Sequence, residues 1–503
     1  MLLALVTAWF MVHHRPQSEV EAYKKFLIEH GEKLELAELV PPPVPAESNC
    51  ADAVRSAFVM FGSGTKGVPN AMKMVVPGKA MVGWMQPEAC SYDFTNAWED
   101  FAARVAEDRP AIGLLHQALE RPKLDFQFDY SKDVVSLLPH LTPMKQSAQK
   151  LASAAVLDLH NADTDDAATN ICIILALVQR AMPEGLLISH MVRIAMANVA
   201  ISPTWELLQS PNATDPQLAM LQNQWDRLDF FADATNVFAL ERVWSINEIE
   251  RLRAAPDEIQ KTFGSFASLT GSSSSSSSLW DWPPDWEAIT EKPRSAIGAA
   301  MWRTSWSYSD ELHELKSEQI ILETLRVMRT NQNQCYKTSY DSMQKKLSLL
   351  SITNAGASFF RALKIPDFSE FDSMFSLGGA VNNTLRVEAA RRVVVVAIAL
   401  KRFQLRHGVW PETLDKLAPE FLAFMPIDPY DGKPLRYHPN ADGTFLLYCV
   451  GEDGVDDGGD PTNAVTGSAS SSLYWQNVKA RDWVWPQPAT EAEVKFFYDN
   501  PPK

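Results

Sequence analysis

The sequence predicts a mainly α-helical protein with an N-terminal hydrophobic helix, a large helical body and a small α+β unit near the C-terminus. Two observations predict this fold class: apolar residues recur at spacings of three and four through most of the body, and residues 435–450 carry two short runs typical of an antiparallel hairpin. The chain has 503 residues, of which 46% are hydrophobic and 21% charged. This is the balance of a globular protein with a sizeable core.

Net charge excludes one class of partner. Lys and Arg number 46 against 62 Asp and Glu, a formal charge of −16, and no basic stripe offsets it. A chain this acidic repels phosphate backbones, so we expect no nucleic-acid partner. The glycine-rich segment Gly62–Gly67 lacks the spacing of a phosphate-binding loop, so we expect no nucleotide either.

Residues 1–15 are predicted to be a hydrophobic membrane anchor. Leu2–Val12 is apolar throughout and is followed by His13, His14 and Arg15, a pattern typical of a membrane interface. A stretch this short covers only about half of a bilayer core, so we expect the anchor to be truncated at this start site. An atypical export signal and an apolar helix end packed on the body are the alternatives.

Residues 16–45 are predicted to form a helix and a proline-rich spacer. The helix is expected from Glu19 to Leu39, where apolar residues alternate with charges at helical spacing. The spacer, Pro41–Pro45, cannot be helical and would hold the body off the bilayer.

Residues 46–378 are predicted to be the helical body. The acidic segment Asn161–Asp166 is interpreted as helix capping, because it lacks the glycine and glutamate of a calcium loop. The serine run at 271–278 is predicted to be a flexible loop leading into a tryptophan-rich stretch, 279–286, that packs on the body. Helices are expected over 142–159, 166–182, 187–201, 216–253, 309–329 and 340–363.

The cysteines do not form a regular framework. Five are scattered along the chain without a paired spacing, and Cys172 is expected to be a buried thiol. A bridge between Cys50 and Cys90 stays open if the protein leaves the cytoplasm.

Residues 379–465 are predicted to be a separate small module. A long helix from Asn383 ends in basic residues before Gly408, which suits the helix dipole and the C′ position. Two strands, 435–438 and 444–450, flank the turn Asn440–Gly443, and an acidic, glycine-rich loop follows at 451–460. The tail, 466–503, is predicted to be extended and packed on the body.

The order of these parts resembles the globular domain of major pseudopilins of type II secretion systems. The resemblance rests on the long helix, Gly-Val-Trp-Pro at 408–411, Asp-Pro-Tyr-Asp-Gly-Lys-Pro-Leu-Arg-Tyr at 428–437, Leu-Tyr-Cys-Val-Gly at 447–451 and the acidic loop. It implies that the loop binds calcium, with oxygen ligands from Asp453, Asp456, Asp457 and, with less support, Asp460. A loop solvated by water, with Glu452 as a fifth carboxylate, is the open alternative.

The chain departs from that family in its long helix. This helix lies deep inside the chain, carries Arg391 and Arg392, and follows a segment, Leu377–Asn382, that does not match a processing site. We therefore expect no polymerisation into a pilus. The whole chain also looks like membrane-anchored bacterial proteins of unknown role.

The sequence carries no familiar catalytic signature. His140, His160 and His190 are interpreted as surface or core-edge residues, and zincin, nucleophile-elbow and dinucleotide motifs are missing. We expect a non-catalytic, membrane-anchored protein on the periplasmic side of a bacterial envelope, with a structural or interaction role and a protein partner there. The alternatives are an envelope hydrolase with an unrecognised carboxylate site, an accessory factor of a secretion apparatus, or a cytoplasmic location.

Overall fold

The computed structural model describes residues 2–62, 74–76, 79–80, 82, 84, 98–128, 138–180, 185–254, 307–330, 335–353, 377–462 and 480–500. Within them the protein is mainly helical, with a small antiparallel sheet near the C-terminus, so the predicted fold class is confirmed at this level. The serine run at 271–278, the tryptophan-rich stretch 279–286 and Cys90 lie outside the described residues.

The helices extend over most of the described chain. In order they are α1 (Leu2–Glu29), α2 (Ala51–Phe61), α3 (Trp98–Ala118), α4 (Leu141–His160), α5 (Thr164–Arg180), α6 (Leu187–Gln209), α7 (Asp215–Asp226), α8 (Phe230–Ala254), α9 (Ser307–Thr330), α10 (Tyr336–Thr353), α11 (Leu377–His407) and α12 (Glu491–Asp499).

The strands form two small sheets. The first joins β1 (Met74–Val76), β2 (Lys79–Ala80) and β6 (Gln487–Pro488), with β6 parallel to β2. The second has the order β3 (Arg436–Pro439), β4 (Phe445–Val450) and β5 (Asp482–Val484), all antiparallel. The hairpin of β3 and β4 is therefore the predicted one, and β5 comes from the tail.

The helical body packs α4, α5 and α6 against one another, with α7, α8 and α9 alongside. The prediction of capping at 161–166 is confirmed, because Asp163 Oδ1 accepts a hydrogen bond of 3.0 Å from Asp166 N at the start of α5. The helical stretch expected over 216–253 is broken between Asp226 and Phe230.

α1 differs from the prediction at both ends. It is one helix from Leu2 to Glu29 with Pro16 inside it, and it joins the predicted anchor to the predicted second helix. The expected helix from Glu19 to Leu39 is wrong beyond Glu29, because Gly31 takes a φ of +83° that ends the helix. Among the helices that the structure describes, none combines the length and apolar character needed to span a membrane.

α11 lies in the centre of the body. The valines and alanines from Val393 to Leu400 are buried on every side of the helix, which contacts α6, α7 and α8 as well as β4. A helix covered all round needs apolar residues all round, as its sequence has. The helix of the C-terminal unit is thus also a core helix of the body.

The tail is extended only in part. Trp205 Nε1 of α6 donates a hydrogen bond of 2.8 Å to Pro486 O, which fixes the segment after β5 to the body. The end of the chain then forms α12, which the sequence pattern did not predict. Thr490 and Glu493 cap it reciprocally.

Candidate functional site

The C-terminal unit is built around Asp428, which begins the Asp-Pro-Tyr-Asp-Gly motif. Its carboxylate is fully buried and accepts hydrogen bonds of 2.8 Å from Tyr430 N and from Val450 N at the end of β4. Its own backbone closes the turn, with Gly432 N donating to Asp428 O at 2.9 Å. Asp428 therefore joins the turn to the hairpin, and burial raises its pKa to about 7.

Arg436 connects the turn to the acidic loop. Its guanidinium lies 2.9 Å from Asp428 Oδ2, makes two hydrogen bonds to Asp431 and donates to Asp456 Oδ2 at 3.0 Å. One cation thus binds three carboxylates, two from the turn and one from the acidic loop. Because a guanidinium presents five donors in a planar fork, arginine suits this position better than lysine.

Asp482 organises the backbone of the acidic loop from β5. It is fully buried and accepts hydrogen bonds from Gly459 N at 2.8 Å, Asp460 N at 3.1 Å and Asp457 N at 3.5 Å. Convergent backbone N–H groups around a carboxylate resemble an anion-binding nest. The loop is consequently wrapped around a side chain of the tail.

The four predicted calcium ligands each have a partner within the protein, and two of them share one. Asp453 accepts a hydrogen bond of 3.0 Å from Val455 N, and Asp456 binds Tyr448 Oη at 2.9 Å besides Arg436. Arg481 lies 3.5 Å from Asp457 Oδ1 and 3.7 Å from Asp460 Oδ2. Within the part of the chain that the structure describes, no three His, Cys, Asp or Glu side chains are grouped so that they could hold a metal ion.

The fifth carboxylate of the loop faces α11. Glu452 pairs with Arg386 and accepts a hydrogen bond of 3.2 Å from Asn382 Nδ2. The acidic loop is therefore fixed at one end to the core helix and at the other to the tail.

The three histidines singled out in the sequence have structural contacts. His190 is buried and bonds Thr384 Oγ1 of α11 at 2.9 Å, and burial together with Arg193 lowers its pKa to about 3. His160 bonds Trp84 O at 2.9 Å and stacks on Trp98. His140 stacks on Phe126 with 4.3 Å between ring centroids.

A second polar cluster fixes α1 to the body. Glu32, just beyond α1, lies 3.0 Å from Arg242 Nη2 of α8 and also binds Arg326 and Gln319 of α9. Burial opposes ionisation of Glu32, but the hydrogen bonds from Arg326, Gln319 and Arg242 outweigh it and lower its pKa to about 2.

Lys24, which lies within α1, makes a second ionic contact between this helix and the body. It pairs with Glu311 of α9 and, at 2.8 Å, with Glu250 of α8. Glu311 belongs to the acidic face of α9, a set of buried carboxylates at helical spacing formed by Asp310, Glu311, Glu314 and Glu318.

Sequence reasoning missed the residues that organise both clusters. Arg436 belongs to the motif at 428–437, but the sequence predicts no contact for it. Asp482 lies in a tail that is predicted only to be extended. Nothing local in the sequence pairs Glu32 with Arg242, 210 positions away. One signal was available: an arginine just after the Asp-Gly turn, in a chain with so many carboxylates, indicates an ion pair.

Comparison with models of protein families, with curated proteins and with solved structures finds no match to this chain. The likeness to pseudopilins therefore rests on the motifs of residues 383–460 alone.

Proposed function

We propose that the chain is a non-catalytic interaction protein of the bacterial envelope, held at the membrane by residues 1–15. Its C-terminal unit, 379–465, would face the periplasm and bind a protein partner there. The observation that carries this proposal is the attachment of α1: one helix runs from the apolar segment to Glu29, and the buried Glu32 just beyond it pairs with Arg242 of α8 and Arg326 of α9.

This attachment suits a stem between a membrane and a body. The contacts of α1 with the body include few buried apolar residues, chiefly Val20 and Leu27 against Ile246 and Leu315. The charged contacts of Lys24 and Glu32 set the position of α1 on the body, because hydrogen-bonded ion pairs fix the rotation and register of a helix. The body would then take its orientation from the stem.

The C-terminal unit supports the second half of the proposal. Arg436 and Asp482 hold its turn, hairpin and loop in one arrangement, and α11 continues that unit into the body core. A preorganised surface binds a partner without the cost of ordering itself. The motif resemblance makes subunits of a secretion apparatus the first partners to test.

Fractionation combined with protease accessibility tests the location. The full chain with a C-terminal epitope should sediment with membranes, and in spheroplasts added protease should remove the epitope while a cytosolic marker survives. Protection of the epitope until the inner membrane is lysed would contradict the proposal. An epitope found in the soluble fraction would contradict it as well.

An envelope hydrolase is the second candidate, favoured by the acidic face of α9. Burial of a carboxylate shifts its pKa, and catalytic sites use such shifts to adjust their acids and bases. The variant E314Q should abolish hydrolysis of peptidoglycan or polysaccharide substrates if this candidate is correct, while E323Q on the exposed side of α9 should not. Equal rates for the parent and E314Q would exclude Glu314 as the acid or base.

A further inference from the structure

Two buried polar atoms of side chains in ring contact have no hydrogen-bond partner among the described residues: Tyr430 Oη, in the Asp428 turn, and Trp483 Nε1, in β5 of the tail. Both residues are only 2% exposed. An unpaired buried donor lowers the folding equilibrium constant by roughly five- to a hundredfold, and buried polar groups in native proteins nearly always bond to protein or ordered water. Two such atoms on side chains in contact with each other therefore need a partner.

The two side chains are neighbours with fixed backbones. Their rings meet edge to face, with centroids 5.9 Å apart and planes at 69°. Tyr430 is held by the Asp428 turn and by Cys335 Sγ, which donates to its carbonyl oxygen at 2.6 Å. Trp483 is the middle residue of β5, opposite Cys449. These contacts fix the two backbones on either side of the ring contact.

The surroundings define the chemistry of the missing partner. Burial, reinforced by Glu452, raises the pKa of Tyr430, so its hydroxyl stays protonated. The indole N–H can only donate, so the partner must offer an acceptor lone pair. Arg386, the cation whose charge acts on Tyr430, is already paired with Glu452. A neutral partner therefore suits the site better than an anion.

We propose that the corner between Tyr430 and Trp483 is a binding site for a neutral hydrogen-bond acceptor of the size of water, occupied by ordered water. The Arg386–Glu452 ion pair, whose charges act on Tyr430, has side chains that are 22% and 31% exposed. Water in the corner accepts from the indole and bonds the phenol, and it links the Asp428 turn to β5. The inference is independent of the proposed function.

Removal of one hydroxyl tests the site. Y430F in the full chain should lower the folding equilibrium constant about fivefold in urea unfolding, because the variant loses a bond to the bound water. Y437F is the matched control, since the hydroxyl of Tyr437 donates to Pro411 O at 2.8 Å and its loss should cost a similar factor. A Y430F protein as stable as the parent, or more stable, would show that the hydroxyl has no partner and would overturn the proposal.

A crystal structure of the parent gives a second readout that does not depend on a variant folding. Ordered density within about 3.2 Å of Tyr430 Oη or Trp483 Nε1 is the expected result. Empty density beside both atoms would overturn the proposal.

Discussion

Gly451 N donates a hydrogen bond of 2.9 Å to Arg481 O, and the two backbones lie so close that a Cβ on Gly451 would overlap that oxygen. The carbonyl oxygen of Ala480 would be only 2.7 Å from the same Cβ. This contact explains the glycine that ends the Leu-Tyr-Cys-Val-Gly motif: the segment entering β5 crosses the end of β4 there. The glycine of the motif is therefore required by the approach of β5, a strand that lies about 30 residues further along the chain.

G451A should destabilise the protein by about 3 kcal/mol, because the new methyl group meets backbone rather than a flexible side chain. G113A is the matched control, since Gly113 lies within α3 and a Cβ added there would meet no atom within 4 Å. That helical substitution should be neutral or stabilising by up to about 1 kcal/mol. Urea unfolding of both variants measures the difference, and equal stabilities would contradict the crossing of β4 by the tail.

E32Q should destabilise the protein by about 3 kcal/mol at neutral pH, because it leaves the fully buried Arg242 without its carboxylate. E29Q is the control: Glu29 is 61% exposed and lies 3.8 Å from Lys25, so its change should cost less than about 0.5 kcal/mol.

The effect of E32Q should depend on pH in a defined direction. The folded-state pKa of Glu32 is lowered from 4.5 to about 2, so its stabilisation is complete above pH 4.5 and is lost as the pH falls through 2. The stability difference between parent and E32Q should shrink between pH 6 and pH 2. A difference that stays constant over this range would show that Glu32 is not ionised in the folded protein.

Glu241 of α8 should give the opposite pH dependence. Burial raises its pKa to about 7, against a hydrogen bond of 3.2 Å from Leu187 N. A raised pKa means that the stabilising contribution of the neutral carboxyl is complete below pH 4.5 and is lost as the pH rises through 7. E241Q should therefore gain about 2 kcal/mol relative to the parent between pH 5 and pH 8.

Chemical denaturation at the two pH values measures this gain. E120Q serves as control, since Glu120 is exposed and its change should shift stability equally at pH 5 and pH 8. If the stabilities of the parent and of E241Q change equally between pH 5 and pH 8, Glu241 does not titrate in this range.

Calcium distinguishes the two interpretations of the acidic loop. Asp456 pairs with Arg436, and Asp457 and Asp460 share Arg481, so guanidinium groups of the protein already offset part of the negative charge of the loop. We expect Ca²⁺ at about 1 mM to leave the Tm of the chelated full chain unchanged. A rise of several degrees would show a ligand that binds the folded form, as the resemblance to pseudopilins implies.

The sequence predicted the local features of this fold well. α4, α5 and α9 follow from apolar residues at helical spacing, and the hairpin of β3 and β4 follows from two short strand-like runs around a turn. The end of α1 was missed although Gly31 marks it, because the charges beyond that glycine continue a helical pattern.

The site residues were less predictable because their partners are distant in sequence. Tyr448 pairs with Val484, which lies far along the chain, and Arg436 binds carboxylates that precede and follow the hairpin in sequence. The resemblance to pseudopilins implies a calcium loop at 452–460, with a solvated loop as the alternative, and neither predicts that the arginines pairing with the loop lie at 436 and 481. Local composition reports charge, and only the tertiary structure shows which charges meet.

Flotation of the purified full chain on liposomes tests the central claim most directly. The parent should float with vesicles, and a variant with aspartate at Leu3, Val6 and Phe10 should stay in the soluble fraction. A control with aspartate at Ser18, Ala22 and Phe26, three exposed and uncharged positions of α1, should float as the parent does. If the parent stays soluble, or if the Leu3, Val6 and Phe10 variant floats equally well, the N-terminal segment is not the membrane attachment.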